Sequence, residues 1–475
     1  MANNQKQAGF YTLKQFKIRP VLQDTTSKSV LDQNLPDSTE LNKVILNWGI
    51  SESINSQYVH GYAIVHEGNN ILGDLPIIGE EEVDIMYIDF YGNRRRESYY
   101  VYAVEEVQPE NSINDRMVKY IIRFCSKQKL HSDTTELRRS YADKTISSMV
   151  RSIYEDYFLS GDSTDKEIEI EETSGDQTLV IPNLRPDEAI NFLARRAFSS
   201  NSKSSLFRFF ETREKYFFCT HEYLIEKYKN GVSNDAISVS NNLKFIYSTI
   251  DDNTGPGQIL AQQSIASLVY GKKVNTISDM KDGAYRRRVT ELDYMNRTRI
   301  TRDYDYSADH GQYKAVDKLK LTHTKAYINT FMQADNAPET VLIADYPQIG
   351  QGQGTDYQLK PYQYYYENYT TKPILDYHME ANSISFTIKG RGNMYPGKLI
   401  NLELYNFAES LSGQRTLDKE RAGVYLVLSV ESSFINDEFL QKLVVSKGGL
   451  SGTAEKPAST TTVDTTFNMI SGLIK

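Results

Sequence analysis

Along the first 130 or so residues apolar side chains recur at every second position, in run after run, with turn residues between the runs. Val44, Leu46, Trp48 and Ile50 alternate with Ile45, Asn47 and Gly49. Val83, Ile85, Tyr87 and Asp89 alternate with Asp84, Met86 and Ile88, and Tyr91-Gly92-Asn93 supplies the next turn. Tyr99 to Val107 follows; then Val118, Tyr120, Ile122 and Phe124 stand against Lys119, Ile121, Arg123 and Cys125. Successive side chains of a strand point to opposite faces, so this period predicts an antiparallel sheet, closed or nearly closed into a barrel. Both faces carry apolar residues. A barrel surrounded by water shows a cleaner polar face, so the outer wall is expected to pack against something.

The period then changes. Ile146, Met149, Val150, Ile153, Tyr154, Tyr157 and Phe158 fall at helical spacing, with Asp143 as the expected N-cap. Pro186 opens a second helix, with Asp187 and Glu188 in the first turn, where the helix dipole favours carboxylates. Ala189, Ile190, Leu193, Ala194 and Ala197 form its apolar stripe. Leu206 to Phe210 and Tyr216 to Cys219 flank the polar run Glu211 to Lys215, a strand, a turn and a strand. Strand-like runs return near Lys272 to Ile277 and Tyr285 to Tyr294. After a Tyr- and Gly-rich excursion, clean alternation resumes at Ile384, Phe386 and Ile388, and at Ile400, Leu402 and Leu404. It ends with Val424 to Val430 and Phe439 to Val445, and Tyr395-Pro396-Gly397-Lys398 places Pro-Gly at the centre of a type II turn.

The expected fold class is therefore β-rich α+β and multidomain: two antiparallel β-barrel tube domains with an α+β domain between them. The boundaries are read as 1–130 for the first barrel, 131–235 for the α+β domain, and 236–305 with 376–450 for a second, discontinuous barrel. Residues 306–375 are an insertion in that barrel, and 451–475, polar and rich in Ser and Thr, a flexible tail suited to docking a partner. A chain of 475 residues is long enough for such a division.

Charge argues against DNA binding as the main task. Lys and Arg number 54 against 62 Asp and Glu, a net charge of −8, whereas a protein that grips duplex DNA gains affinity by neutralising phosphates with cations. Two basic runs, Arg94 to Arg96 and Arg286 to Arg288, read as solvated hairpins or inter-subunit ion pairs. The 34 tyrosines suit protein–protein contact, since the ring is apolar and the hydroxyl tolerates water. Cys125 and Cys219 are too few for a disulfide framework and have no metal-ligand spacing, which points to a reducing compartment. Met1 to Gln7 is polar and lacks the apolar stretch of a secretory signal, and no run is long enough for a spanning helix, so no membrane insertion is expected.

No catalytic, cofactor-binding or metal-ligating set emerges, and the chain is expected not to be an enzyme. His66-Glu67 begins like a zincin helix, but Asn70 stands where the second His is required. Asp303, Asp305 and Asp309 have calcium-loop spacing, yet Ala308 replaces the obligatory Gly and Lys314 the bidentate Glu. The Gly350 to Gly354 run opens no helix and so presents no helix-terminal amides to a phosphate. Glu80 to Glu82 supply carboxylates, as do Glu167, Glu169, Glu171 and Glu172; in the second set Ile168 and Ile170 alternate with the acids, as on a strand with one solvated face. His60, His131, His221, His310, His323 and His378 are scattered.

The order of these segments resembles the central baseplate hub family of contractile-tailed, T-even-like bacteriophages and the hub region of type VI secretion spike proteins. The resemblance rests on Val44 to Ile54, Tyr62 to Val65 and Leu75 to Glu81 in the first block. In the second it rests on Arg185 to Ile190, Phe192 to Ala197 and Phe209 to Phe218; in the third, on Gly392 to Leu404 and Val424 to Val445. It implies a homotrimer whose paired barrels form a pseudo-sixfold torus joining a sixfold tail tube to a threefold spike. It also implies tail tube, central spike and baseplate wedge proteins as partners, the tape measure protein as a further candidate, and DNA passing through the lumen without specific binding. The implied place is the tail baseplate of a virion assembled in the host cytoplasm. Only about 25 residues follow the last strand run, so spike and murein hydrolase functions are expected on separate chains. The competing readings are a tail-tip hub of a non-contractile phage, or the hub of a phage-like injection system, and a carbohydrate-binding or depolymerising tail protein. The last requires aromatic platforms and facing carboxylates.

Overall fold

The computed structural model of the chain describes residues 8–20, 38–69, 71–74, 77, 79, 81–109, 117–159, 166–202, 204–229, 244–246, 263–271, 286–293, 297–305, 339–343, 369, 372–377, 379, 383–404, 418 and 421–447. Of the sequence readings, the run Lys272 to Ile277, most of 306–375 and all of 451–475 lie outside these residues. The first-block runs form β1 (Thr12–Arg19), β2 (Thr39–Glu40), β3 (Ile45–Ser53), β4 (His60–Glu67), β5 (Glu82–Ile88), β6 (Arg94–Pro109) and β7 (Val118–Cys125), with one helical turn, α1 (Ile71–Asp74). Their order in the sheet is β3-β4-β7-β6-β5-β1-β2, all antiparallel. The alternating apolar residues largely face one core, which includes Trp48, Ile50, Val83, Ile85, Tyr120, Ile122 and Phe124, while an irregularity between Ile45 and Asn47 leaves Leu46 of the expected β3 set exposed.

The middle block carries α2 (Lys127–Thr134), β8 (Leu137–Thr145), α3 (Ile146–Tyr157), β9 (Ile168–Ile170), β10 (Asp176–Leu184) and α4 (Pro186–Ala194). It ends with β11 (Phe207–Glu211), β12 (Tyr216–Thr220) and α5 (His221–Lys229). The stripes of α3 and α4 meet over Phe209, Tyr216 and Phe218 in a core of their own. The cap of α3 is Thr145, whose hydroxyl accepts from the Ser148 N–H at 3.3 Å, and not Asp143. Asp143 sits two residues earlier, at a bulge in β8 with φ of 48°, and accepts a hydrogen bond from the Thr178 hydroxyl. The strand simply persists further than helical spacing suggests.

The last block contains β13 (Lys244–Ile246), β14 (Ile265–Tyr270), β15 (Arg286–Asp293), β16 (Thr298–Asp305) and β17 (Glu339–Ile343), then β18 (Ser383–Lys389), β19 (Leu399–Glu403), β20 (Gly423–Ile435) and β21 (Glu438–Ser446). Strands β16-β15-β17 make a separate small sheet; the others enclose a third core around Phe386, Ile400, Leu402, Val427 and Leu443. Gly397 has φ of 91°, the conformation demanded at the third position of the expected type II turn.

One hairpin belongs to both β blocks. The first half of β20 pairs with β19, from Leu402↔Gly423 to Leu399↔Leu426. The second half pairs along the same edge with β3, from Ser429↔Ser53 to Ile435↔Asn47, while β21 follows its other edge. At the hairpin tip the Phe439 N–H donates to Gly9 O at 2.7 Å and the Tyr11 N–H to Asp437 O at 3.2 Å. These bonds bring β1 against β21 through the bridge Phe10↔Glu438, so the series that starts at β3 returns to its start. The tip also fills the first core. Phe434 stacks on Trp48 with centroids 3.7 Å apart and planes 2° off parallel, and Phe439 stacks on Phe434 at 4.2 Å. Gly390 is needed beneath it, because a Cβ there meets the Phe439 ring at 2.2 Å.

Truncating a buried Phe costs about 3–5 kcal/mol. Phe434→Ala is expected to lose that much in urea unfolding and to speed hydrogen exchange in β1 and β3 as well as in β20. Ile388→Ala, confined to the third core, leaves exchange in β1 and β3 unchanged; mass-resolved exchange of both variants checks this.

Candidate functional site

The residues that drew attention as chemistry are, where described, occupied with structure. His66 and Glu67 lie on β4, and the buried Glu67 carboxylate accepts the N–H groups of Ile71 at 2.8 Å and Leu72 at 3.1 Å, capping α1. Arg288 of β15 makes a two-point ion pair with Asp303 of β16, at 2.7 and 3.0 Å, while Ala308, Asp309 and Lys314 lie outside the described residues. The Gly350 to Gly354 run, His310, His323 and His378 lie outside them too. Arg95 pairs with Glu214 at 3.6 Å and Arg96 with Asp84 at 3.5 Å, so two of the three cations of the first basic run are paired within the chain. Cys125 and Cys219 are free and buried, and burial pushes the Cys125 thiol up to about 12. Among the described residues no group of three or more His, Cys, Asp or Glu is placed to hold a metal ion.

Of the acids around β9, Glu167 and Glu172 are exposed as expected, whereas Glu169 and Glu171 are covered, Glu169 by α5 folding back over it. Glu169 pairs with Lys215 and Lys227 and accepts from the Tyr223 hydroxyl at 3.0 Å. Glu171 is buried and accepts from Ser199 Oγ at 2.5 Å, Thr220 N at 2.6 Å and Thr220 Oγ1 at 2.8 Å. Beside it, burial raises the Glu222 carboxyl from the ordinary 4.5 to about 7. The neighbouring His221 ring is lowered by burial to about 4 and stays neutral.

The densest polar constellation centres on Arg213, in the turn between β11 and β12. The turn is held in shape by Thr212, whose Oγ1 donates to Lys215 O at 2.8 Å. It has to be buried because the strands leading into it, Phe207–Glu211 and Tyr216–Thr220, have almost no exposed residue. The Arg213 side chain is 7% exposed and its main partner, Glu52 on β3, 0%. Its backbone N–H donates to Glu52 Oε1 and its Nε to Oε2, both at 2.8 Å. One terminal nitrogen donates to Tyr87 Oη on β5 at 3.1 Å and approaches Glu97 on β6 at 3.5 Å; the other donates to Met394 O at 3.1 Å. Two residues before it, Glu211 accepts from Val59 N at 3.0 Å, Lys166 Nζ at 2.6 Å and Ser126 Oγ.

Electrostatics keep this junction charged. Burial alone lowers the Arg213 guanidinium, but Glu52 and the further acids outweigh it and hold it well above its ordinary value. Burial raises the Glu52 carboxyl, against the opposing pull of Arg213. With its groups enclosed and mutually bonded, the constellation fastens the middle block to both β blocks and leaves no face for a substrate. The sequence reading treated Glu211 to Lys215 as an ordinary turn. Its distinguishing mark in the sequence is a five-residue polar run between two largely aromatic strands.

Removing one partner of a buried ion pair costs about 3–5 kcal/mol, because the other charge is stranded. Arg213→Met is expected to lose that much in urea unfolding, and Arg213→Met with Glu52→Leu to regain a large part of it. Glu222 gives a pH signature. Its folded form keeps a proton that the unfolded chain gives up, so stability is complete below about 4.5 and falls as pH rises through about 7. Glu222→Gln is expected to match the parent at pH 5 within roughly a kcal/mol and to exceed it by up to about 3 kcal/mol at pH 8. His221 acts equally in both proteins and cancels from the difference.

Compared by sequence, no family model and no curated protein matches the chain. Solved structures do match. A tail protein from Neisseria meningitidis MC58 is similar at 9% identity and a TM-score of 0.48, over 92% of this chain and 96% of its own. The 43 kDa tail protein of prophage MuSo2 from Shewanella oneidensis is similar at 10% identity and a TM-score of 0.48, over 92% and 98%. An E. coli component of the type VI secretion system, itself described as similar to the T4 bacteriophage tail proteins gp27 and gp5, matches at 8% identity and a TM-score of 0.42, over 85% and 73%.

Proposed function

We propose that this chain is a structural, non-enzymatic tail protein: a central baseplate hub, three copies of which adapt a sixfold tail tube to a threefold spike. The observation that carries this reading is the hairpin β20–β21, which pairs with β3 of the first β block and with β18 and β19 of the last, as the shared wall of two β cylinders would. A protomer with two such cylinders, tripled by rotation, offers six similar units to one neighbour and three identical ones to another. In this reading residues 1–130 and 236–305 with 376–450 are the tube domains, 131–235 the α+β domain between them, 306–375 an insertion and 451–475 a docking tail, with β15 and β16 going with the insertion, whose β17 they join in a separate sheet.

Further support comes from the outer wall. Leu46 on β3, Tyr102 and Val107 on β6 and Ile435 on β20 are large, apolar and exposed, as expected of a surface that meets other subunits. The order of segments shared with contractile-tail hubs points the same way. The acidic balance, 54 cations against 62 carboxylates, suits a conduit through which DNA passes without sticking. Partners on this reading are further copies of the chain, the tail tube, the central spike, baseplate wedge proteins and the tape measure protein, in a virion tail assembled in the host cytoplasm.

Native mass spectrometry of the purified chain tests the stoichiometry. The expected species is three times the 54.4 kDa protomer, without hydrolysis of peptidoglycan or capsule. A monomer at micromolar concentration that cleaves polysaccharide contradicts the reading.

A further inference from the structure

A cavity of about 460 Å³ opens between the segment that joins β3 to β4, the C-terminal end of α4 and strand β11. Four cationic side chains line it, Lys129, Arg195, Arg208 and Lys372, and not one Asp or Glu does. Two of the four have carboxylate partners behind the wall: Lys129 bonds Asp133 at 2.7 Å and Arg208 pairs with Asp376. The other two make no close ion pair among the described residues. Lys372 spends one N–H on Ala194 O, at 3.2 Å, and Arg195 is exposed. Arg208 also keeps a donor in reserve, its buried Nε having no hydrogen-bond partner among the described residues. The Asp376 carboxylate attracts the Lys372 ammonium as well as Arg208, so four cations stand against two carboxylates, Asp133 and Asp376, and His60, in the wall, is lowered by burial and then by Lys129.

We infer that this cavity binds an oxyanion, a carboxylate or phosphate group, through the Lys372 ammonium, the Arg195 guanidinium and the Arg208 Nε–H. Charged donors bond ionised oxygen about twice as strongly as neutral ones, and a wall of unbalanced cations is the arrangement that gains most from an anion. The volume is within the range of small-ligand sites. Burial, then Arg208, lower the Lys372 ammonium to about 8 against the opposing pull of Asp376, and a bound anion adds to that pull.

The competing role for these cations is purely structural, with Lys372 closing the carbonyl end of α4 and water filling the space. Calorimetric titration of the full chain with inorganic phosphate and with acetate, at matched ionic strength in chloride, separates the two. Saturable one-site binding is expected, weakened about tenfold or more by Arg195→Gln and by Lys372→Gln. Arg195 is exposed, so its variant folds as the parent does by circular dichroism. At pH 8 binding is expected to take up a fraction of a proton, read by repeating the titration in buffers of different ionisation enthalpy, and Lys372→Gln abolishes that uptake. Binding of phosphate alone identifies a phosphate site, and binding of both anions a general oxyanion site. No saturable heat from either, or binding that both variants leave unchanged, overturns the inference.

Discussion

The stack of Trp48, Phe434 and Phe439 is the contact on which the architecture depends. It joins residues from opposite ends of the chain into one core, with Tyr11 and Tyr87 meeting Phe434 edge-on at 4.9 and 5.0 Å. Such a contact requires closing a very long loop, whose entropic cost grows only slowly with length but must be met before the contact yields anything. Once formed, it makes the two β blocks thermodynamically inseparable: the first ring lacks two of its strands until the C-terminal hairpin arrives. The same hairpin presents Leu426 and Leu428 to a fourth apolar cluster, with Phe210 and Phe217 of the middle block and Leu224 of α5. All three blocks therefore share it.

The Arg213 junction adds orientation to that cohesion. Apolar contacts are non-directional, whereas a guanidinium bonded at once to β3, β5 and the segment before β19 accepts few arrangements of those elements. Buried ion pairs are a weak source of net stability, and their best-attested use is to select one arrangement among several of similar energy. Arg213 with Glu52, and Glu211 with Lys166, fit that use, placed as they are on the two sides of one turn between separate cores.

Much of this was legible beforehand because it depends on period. Alternation marks β3, β5, β6, β7, β18, β19, β20 and β21 but not β1, β4, β14 or β16, helical spacing marks α3 and α4, and Pro-Gly marks the turn at Gly397. Alternation specifies a face, however, and not a neighbour. Nothing in Val424 to Val445 shows that half of β20 turns away from β19 to pair with β3. The burial of Glu169 and Glu171 escaped notice for a related reason: an acid on alternate positions reads as solvated unless the element that covers it, here α5, is known. Arg213 was hidden because its partners Glu52, Tyr87 and Met394 are brought together only by the finished fold. The oxyanion cavity was unreadable too, since Lys129, Arg195, Arg208 and Lys372 share no local pattern.

If a shared hairpin holds two β cylinders in fixed register so that three protomers can close a ring, the assembled particle must show it. Single-particle electron microscopy of the purified chain is the direct measurement. The account predicts a hollow annulus with threefold symmetry and six similar lobes around the bore. Isolated protomers, or a closed assembly with one lobe per chain, would contradict it.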